Sequence, residues 1–572
     1  MARPLALVPP LEAGSPDAIV PDPDHSTTAE LEALLSREVL AGLDPLALVD
    51  ALRRVGQRCD VGTSTTNLAM EAIRIALGRS SVAPAERDWR FQHRAWHDNP
   101  MFRRLAQGYL AWSAAVEQLV EEADLDWRTA ERARFAAGLV TSTLAPTNFL
   151  ATNPAAIERA VQTGGRSLVR GMRNIVRDVV ENRGMPRSVD LRPFRLGETI
   201  AATPGSVVYR DEVLELLQYR PTTPRVHSRP VVVVPPQINK YYFLDLAPGR
   251  SFVEFAVAQG HQTFCISWRN PTAEQHDWDF DTYVAALEGA LVAAAEIAGA
   301  DRVNTVSMCA GGIATAALLA HHAATGTDLI GSATFGVTLL DFDLPSGIAM
   351  LASQGIVEHS LRTTRESGVL DGHSLFAFFS ALRPNDLVWN YWVNNNLLGD
   401  DPPAFDVLAW NQDSARLPAG LHADFLDLFM TNRLAKAGEM TVLGRPVDLG
   451  AVECDTFVVG AQTDHLTPWK ACYASTQLFG GRSEFVLSSS GHIQSLVNPP
   501  ANPKMRFYRG PRPPGSPEGW LADATSHTGS WWEPWATWVG DRGGADRAAP
   551  RSLGNRKHRP DGPAPGTYVL AS

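Results

Sequence analysis

From about Thr27 to Arg183, apolar side chains recur at every third or fourth position, the period of an amphipathic helix. The segments Ala29–Ala41, Leu46–Val55 and Leu105–Trp112 all carry it. Asp44-Pro45 stands just before the second of these, which suits an N-cap followed by proline in the first helical turn. The segments do not recur at a fixed period, so a solenoid is not expected. Breaks containing proline, Ala145–Phe149 and Thr152–Pro154, separate later helices. Residues 1–26 are rich in Pro and Asp and are expected to be disordered, ahead of a mostly helical N-terminal domain over 27–200.

Past Pro204 the period changes. Ser206–Arg210 reads as a strand, and Glu212–Tyr219 fits either a second strand or a short helix. Pro230-Val-Val-Val-Val-Pro235 is wholly apolar, as a strand buried on both faces must be. A helix over Ser251–Gln259 follows, then a strand at Thr263–Trp268, an Ala-rich helix over Asp281–Ala298 and a strand ending near Met308. Alternation at this spacing predicts an α/β domain over 201–572, with a parallel sheet and right-handed crossovers. Residues 339–443 break it with Trp389, Trp392, Trp410, an Asn394-Asn395-Asn396 run and several prolines. That interruption predicts a lid or cap over the open end of the sheet, although part of any such aromatic cluster is ordinary core. The sheet resumes at Asp455–Gly460 and Glu484–Leu487, and the Pro-, Gly- and Arg-rich tail from Gly540 is expected to pack poorly.

The candidate chemistry sits where the strand ending at Met308 turns into the next helix. In Ser307-Met-Cys-Ala-Gly-Gly312 a β-branched run stops at Cys309, glycines follow, and an Ala/Leu-rich helix begins. This is the layout of a nucleophile elbow with cysteine in place of serine, and with Ser307 where such motifs usually have glycine. The helix N-terminus favours a thiolate. Cys59, Cys265, Cys454 and Cys472 lack that context and read as small buried hydrophobes. A nucleophilic thiol needs a base. Asp464 and His492 both fall on loops just past strand ends, in the order nucleophile, acid, histidine found in α/β-hydrolases. Taken singly, each could be a turn aspartate or a solvated loop histidine. His465, beside the acid, suits a supporting hydrogen bond. For a tetrahedral oxyanion, the amide of Ala310 supplies one donor, and the loop after Val231–Val234, near Gln237 or Ile238, supplies the second.

Bulk properties narrow the classes. The chain has 572 residues, is 45% hydrophobic and 20% charged, and carries a formal net charge of -11, which argues against nucleic acid as a partner. Five unevenly spaced cysteines without a CxxC pair predict neither disulfides nor a zinc site, and no metal or cofactor is expected. A reducing cytoplasm fits. No signal peptide or run of about 18 apolar residues is seen, so a membrane-like surface is expected to be met only peripherally.

Pro235-Pro-Gln-Ile-Asn-Lys-Tyr-Tyr242, Ser267–Pro271, Asn385–Trp392, Asp464-His465 and Gly491–Pro500 resemble the polyhydroxyalkanoate synthases. Pro-Pro-Gln-Ile-Asn with Gln237, and Ser552-Leu-Gly-Asn555, are similar to the single-subunit members that use medium-length monomers. The resemblance implies an α/β-hydrolase core, (R)-3-hydroxyacyl-CoA substrates, a Cys309–Asp464–His492 site, and a homodimer on cytoplasmic polyester granules that holds the growing polyester chain. A thioesterase, a polyester depolymerase or a non-catalytic granule protein are the other readings.

Overall fold

A computed structural model describes residues 45–571 apart from 59–60, 349–353, 512 and 514. The expectations for residues 1–26, Ala29–Ala41, Asp44 and Cys59 lie outside the described residues. The N-terminal part is built from helices α1 (Pro45–Arg58), α2 (Val61–Ala76), α3 (Pro100–Glu122), α4 (Trp127–Thr143), α5 (Pro154–Gln162) and α6 (Arg166–Glu181). Side-chain caps fix where they begin. Asn99 caps α3, Asp126 caps α4 and Asn153 caps α5, each accepting from free first-turn amides. Both proline breaks mark such boundaries: Pro146–Asn148 is a single 3₁₀ turn, and Pro154 opens α5.

A ten-stranded sheet forms the remainder. Its strands are β1 (Gly205–Arg210), β2 (Leu214–Tyr219), β3 (Val231–Val234), β4 (Thr263–Trp268), β5 (Val303–Met308), β6 (Ile330–Gly336), β7 (Asp455–Ala461), β8 (Ser483–Ser488), β9 (Arg506–Arg509) and β10 (Thr525–Thr528). They lie in the order β1-β2-β4-β3-β5-β6-β7-β8-β9-β10. The run from β4 to β8 is parallel, while β1, β2, β9 and β10 are antiparallel at the edges. Of Glu212–Tyr219, which fitted either element, Leu214–Tyr219 is a strand and Glu212-Val213 form the bend before it. Helices α7 (Phe252–Ala258), α8 (Phe280–Ala298) and α9 (Ala310–Thr325) make the crossovers. Every side chain of β3 and β5 is buried, which is why these strands read as unbroken apolar or small-residue runs.

Between β6 and β7 the chain forms α10 (Gln354–Ser367), α11 (Gly372–Ala381), two π-helical turns (Asn385–Trp389 and Trp392–Leu397) and α12 (Ala419–Thr431). Two of its tryptophans are spent on backbone carbonyls outside the insertion. Trp392 donates to the Asn148 carbonyl at 2.9 Å and Trp410 to that of Lys240 at 2.7 Å. They fasten the insertion to the N-terminal helices and to the core.

The tail departs from expectation. After α13 (Trp532–Gly540), whose Trp532 and Trp535 pack on Phe252, Asp546–Ala548 pairs with Arg225–His227. The chain then returns to the sheet edge. Glu215 of β2 is fully buried, paired with Arg210 at 2.7 Å, and accepts from the amides of Thr567 and Tyr568 at 2.9 and 3.0 Å. A buried carboxylate demands donors, and the tail supplies them, a need invisible in the tail's own composition. Breaking such a site by removing one partner costs about 3–5 kcal/mol. Glu215→Ala, or deletion of residues 566–572, is expected to lower unfolding stability by about that amount in urea titrations.

Candidate active site

Cys309 lies on a tight bend between β5 and α9, with φ 49° and ψ −121°. A non-glycine residue at positive φ is strained, and here packing on both sides enforces it. The Cys309 amide donates to the Gly336 carbonyl at 2.9 Å, and the Thr338 hydroxyl donates to the Cys309 carbonyl at 3.3 Å. Close approach dictates the two glycines that follow. A Cβ on Gly311 would lie 2.6 Å from the carbonyl oxygens of Val234 and Pro235, and one on Gly312 would lie 2.2 Å from Thr338 Oγ1. Ser307 fits without crowding: fully buried, it exchanges a 2.8 Å hydrogen bond with Thr315, whose hydroxyl also reaches the Gly311 carbonyl at 3.0 Å. The serine thereby ties β5 to the first turns of α9.

The structure brings Cys309, Asp464 and His492 together. Asp464 follows β7, and His492 opens a short helix, His492–Val497, just past β8. His492 Nδ1 donates to Asp464 Oδ2 at 2.7 Å. That leaves Nε2 for the Cys309 sulfur, which interacts with the imidazole by hydrogen bonding and charge. Burial works against a charged His492, but the Asp464 carboxylate and the sulfur outweigh it and raise its pKa. Burial likewise opposes the Asp464 charge, yet His492 and Thr467 hold its pKa below the usual carboxylate value. The arrangement is set to receive a proton from the thiol and to keep an imidazolium.

His465 does not support the acid as expected. Burial pushes its pKa down to about 4, and it borders a separate depression beside Gly347 and Pro468. The supporting residue is Thr467. Its hydroxyl donates to Asp464 Oδ2 at 2.8 Å, while the amides of Leu466 and Thr467 donate to Oδ1 at 2.8 and 3.1 Å. The signal was an aspartate with threonine three positions on, since Asx turns accept backbone donors at those offsets.

Ala310 opens α9, so its N–H has no intrahelical acceptor. Ile238 borders one cavity with Cys309 and Ala310, and among the described residues its amide has no acceptor. Gln237 is buried and does not border the cavity. The cavity has a volume of about 120 Å³, and it is roofed by the insertion. Phe378 and Phe379 of α11 and Phe425 and Phe429 of α12 close it, so phenylalanines, and not Trp389, Trp392 or Trp410, cover the thiol. Among the described residues no three His, Cys, Asp or Glu side chains converge to hold a metal ion.

A family model described as Poly-beta-hydroxybutyrate polymerase (PhaC) N-terminus matches residues 87–256, and one described as alpha/beta hydrolase fold matches residues 230–499. Poly(3-hydroxyalkanoate) polymerase 1 of Ectopseudomonas oleovorans is 44% identical over 503 residues, covering 88% of this chain and 90% of the relative. Polymerase 2 of the same organism is 44% identical over 540 residues, covering 93% and 96%. The poly(3-hydroxyalkanoate) polymerase subunit of Cupriavidus necator is 41% identical over 507 residues, covering 87% and 85%. This chain belongs to the poly(3-hydroxyalkanoate) polymerase family.

In this polymerase Asp464 is the larger of the two groups that offset the desolvation of His492. In Asp464→Asn only the Cys309 sulfur still opposes burial, so the histidine pKa falls and the imidazolium that supports a thiolate is weakened. Alkylation of Cys309 by iodoacetamide at neutral pH is expected to slow, and CoA release to fall roughly 10⁴-fold, as when an orienting carboxylate is lost from a triad. Thr467→Val removes one hydrogen bond to a charged group and is expected to cost about tenfold.

Proposed function

We propose that this chain polymerises (R)-3-hydroxyacyl-CoA into polyhydroxyalkanoate through an acyl thioester on Cys309. His492 takes the thiol proton, and the sulfur attacks the thioester carbonyl of the substrate. The amides of Ala310 and Ile238 hold the oxyanion. When the tetrahedral intermediate collapses, the C–S bond to CoA breaks and the imidazolium returns its proton to the leaving thiolate. A thioester has been exchanged for a thioester, so the acyl group stays activated. The 3-hydroxyl of a monomer or growing chain then gives its proton to His492 and attacks the acyl carbon. An ester forms and the Cys309 thiolate is released.

The observation that carries this reading is the strained Cys309 facing an imidazole already fixed by Asp464 at 2.7 Å. The apolar roof supports transfer over hydrolysis, since water in the cavity would compete with the hydroxyl. A homodimer at a polyester surface in the cytoplasm completes the proposal. A thioesterase or depolymerase would use the same three residues and would release free acid.

Cys309→Ala is expected to abolish both CoA release and covalent capture of radiolabelled monomer, with wild type yielding polymer. Labelled free acid as the main wild-type product would instead establish the hydrolase. Phe425→Ser, which opens the roof to water, is expected to raise the free hydroxy-acid fraction without stopping CoA release.

A further inference from the structure

Helix α6 is turned inside out. Ser167, Gly171, Asn174 and Asp178, at intervals of four, three and four residues, share one face, and that face is buried. It packs on the π-helical turn Trp392–Leu397 so closely that a Cβ on Gly171 would sit 1.9 Å from the Asn396 carbonyl oxygen. Asn174 donates to the Asn395 carbonyl at 2.8 Å, and Asp178 pairs with Arg187 at 3.3 Å. The helix is therefore anchored by its small and polar side chains.

Its apolar side faces out. Val169, Met172, Val176, Val179 and Val180 are 63, 61, 57, 62 and 78% exposed. Scattered exposed valines need no explanation, but five on one helix face form a contiguous patch of the kind that marks an interaction site. Beside it runs a second row, Arg166, Arg170, Arg173 and Arg177, all exposed. Arg170, Arg173 and Arg177 have no ion-pair or hydrogen-bond partner among the described residues. The helix's other carboxylate, Glu181, comes in the last turn. In a chain of net charge -11, this is a local cationic stripe set against an apolar one.

We propose that α6 is a peripheral docking element for an anionic lipid surface. A helix lying in such an interface sinks its apolar face to the acyl boundary and sets basic side chains beside the phosphates. The arginines favour that occupant over a second copy, whose own α6 would set the same arginine row against them in a symmetric contact, and over a neutral polyester, which offers no counter-charge. Rigid packing of the inner face presents both rows already ordered. No helix among the described residues is long and apolar enough to cross a membrane, so the contact is superficial.

The test is co-sedimentation of the full-length protein with vesicles of phosphatidylcholine alone or with a third phosphatidylglycerol. The expected result is binding to the anionic vesicles only, weakened on the order of tenfold by Val176→Asp with Val180→Asp, and comparably by Arg170→Gln with Arg173→Gln and Arg177→Gln. Both variants should keep wild-type circular dichroism and CoA release from soluble monomer, because the changed side chains are exposed and none of them lines the thiol's cavity. The proposal is overturned if wild type ignores anionic vesicles or binds both kinds equally. It is also overturned if the variants bind as wild type does, or if they change only the oligomeric state or only capture by polyester particles.

Discussion

The site depends on one steric constraint, the contact of the first turn of α9 with the end of β3 and with Thr338 beyond β6. With no Cβ at positions 311 and 312, the helix comes close enough to hold Cys309 at φ 49°. That bend lifts the sulfur off the sheet edge toward His492 and leaves the Ala310 amide without an acceptor. The presentation of the thiol and the free Ala310 amide thus have a single cause. Ser307 adds to it by tying strand to helix through Thr315.

Electrostatics then sets the proton path. Asp464 is nearly buried and would resist ionisation alone, but two backbone amides, the Thr467 hydroxyl and the His492 ring hold it charged. Its charge in turn supports the imidazolium. The roof of phenylalanines makes the surroundings apolar, which strengthens each of these interactions.

Strands β3, β4, β5, β7 and β8 were legible in the sequence because short apolar and β-branched runs leave little alternative, and the elbow was legible because two glycines and an Ala/Leu-rich helix follow so soon after a cysteine at a strand end. Asp464 and His492 could be placed because strand-to-loop boundaries are marked by composition. What escaped depends on partners far away in the sequence. Thr467 and not His465 serves the acid, since turn geometry, not adjacency, decides which group reaches a carboxylate. The tryptophans of the insertion are fasteners because their N–H groups must find carbonyls, whereas phenylalanine has no such need and can line the cavity. The tail looked unpacked because nothing within it announces Glu215.

That last contact has a temporal consequence. Glu215 and Thr567 are 352 residues apart, so a nascent chain exposes β2 with a carboxylate that stays partly unsatisfied until the C-terminus has left the ribosome. The edge of the sheet is the final piece of the domain to be completed, although β1 and β2 are its first strands to be translated.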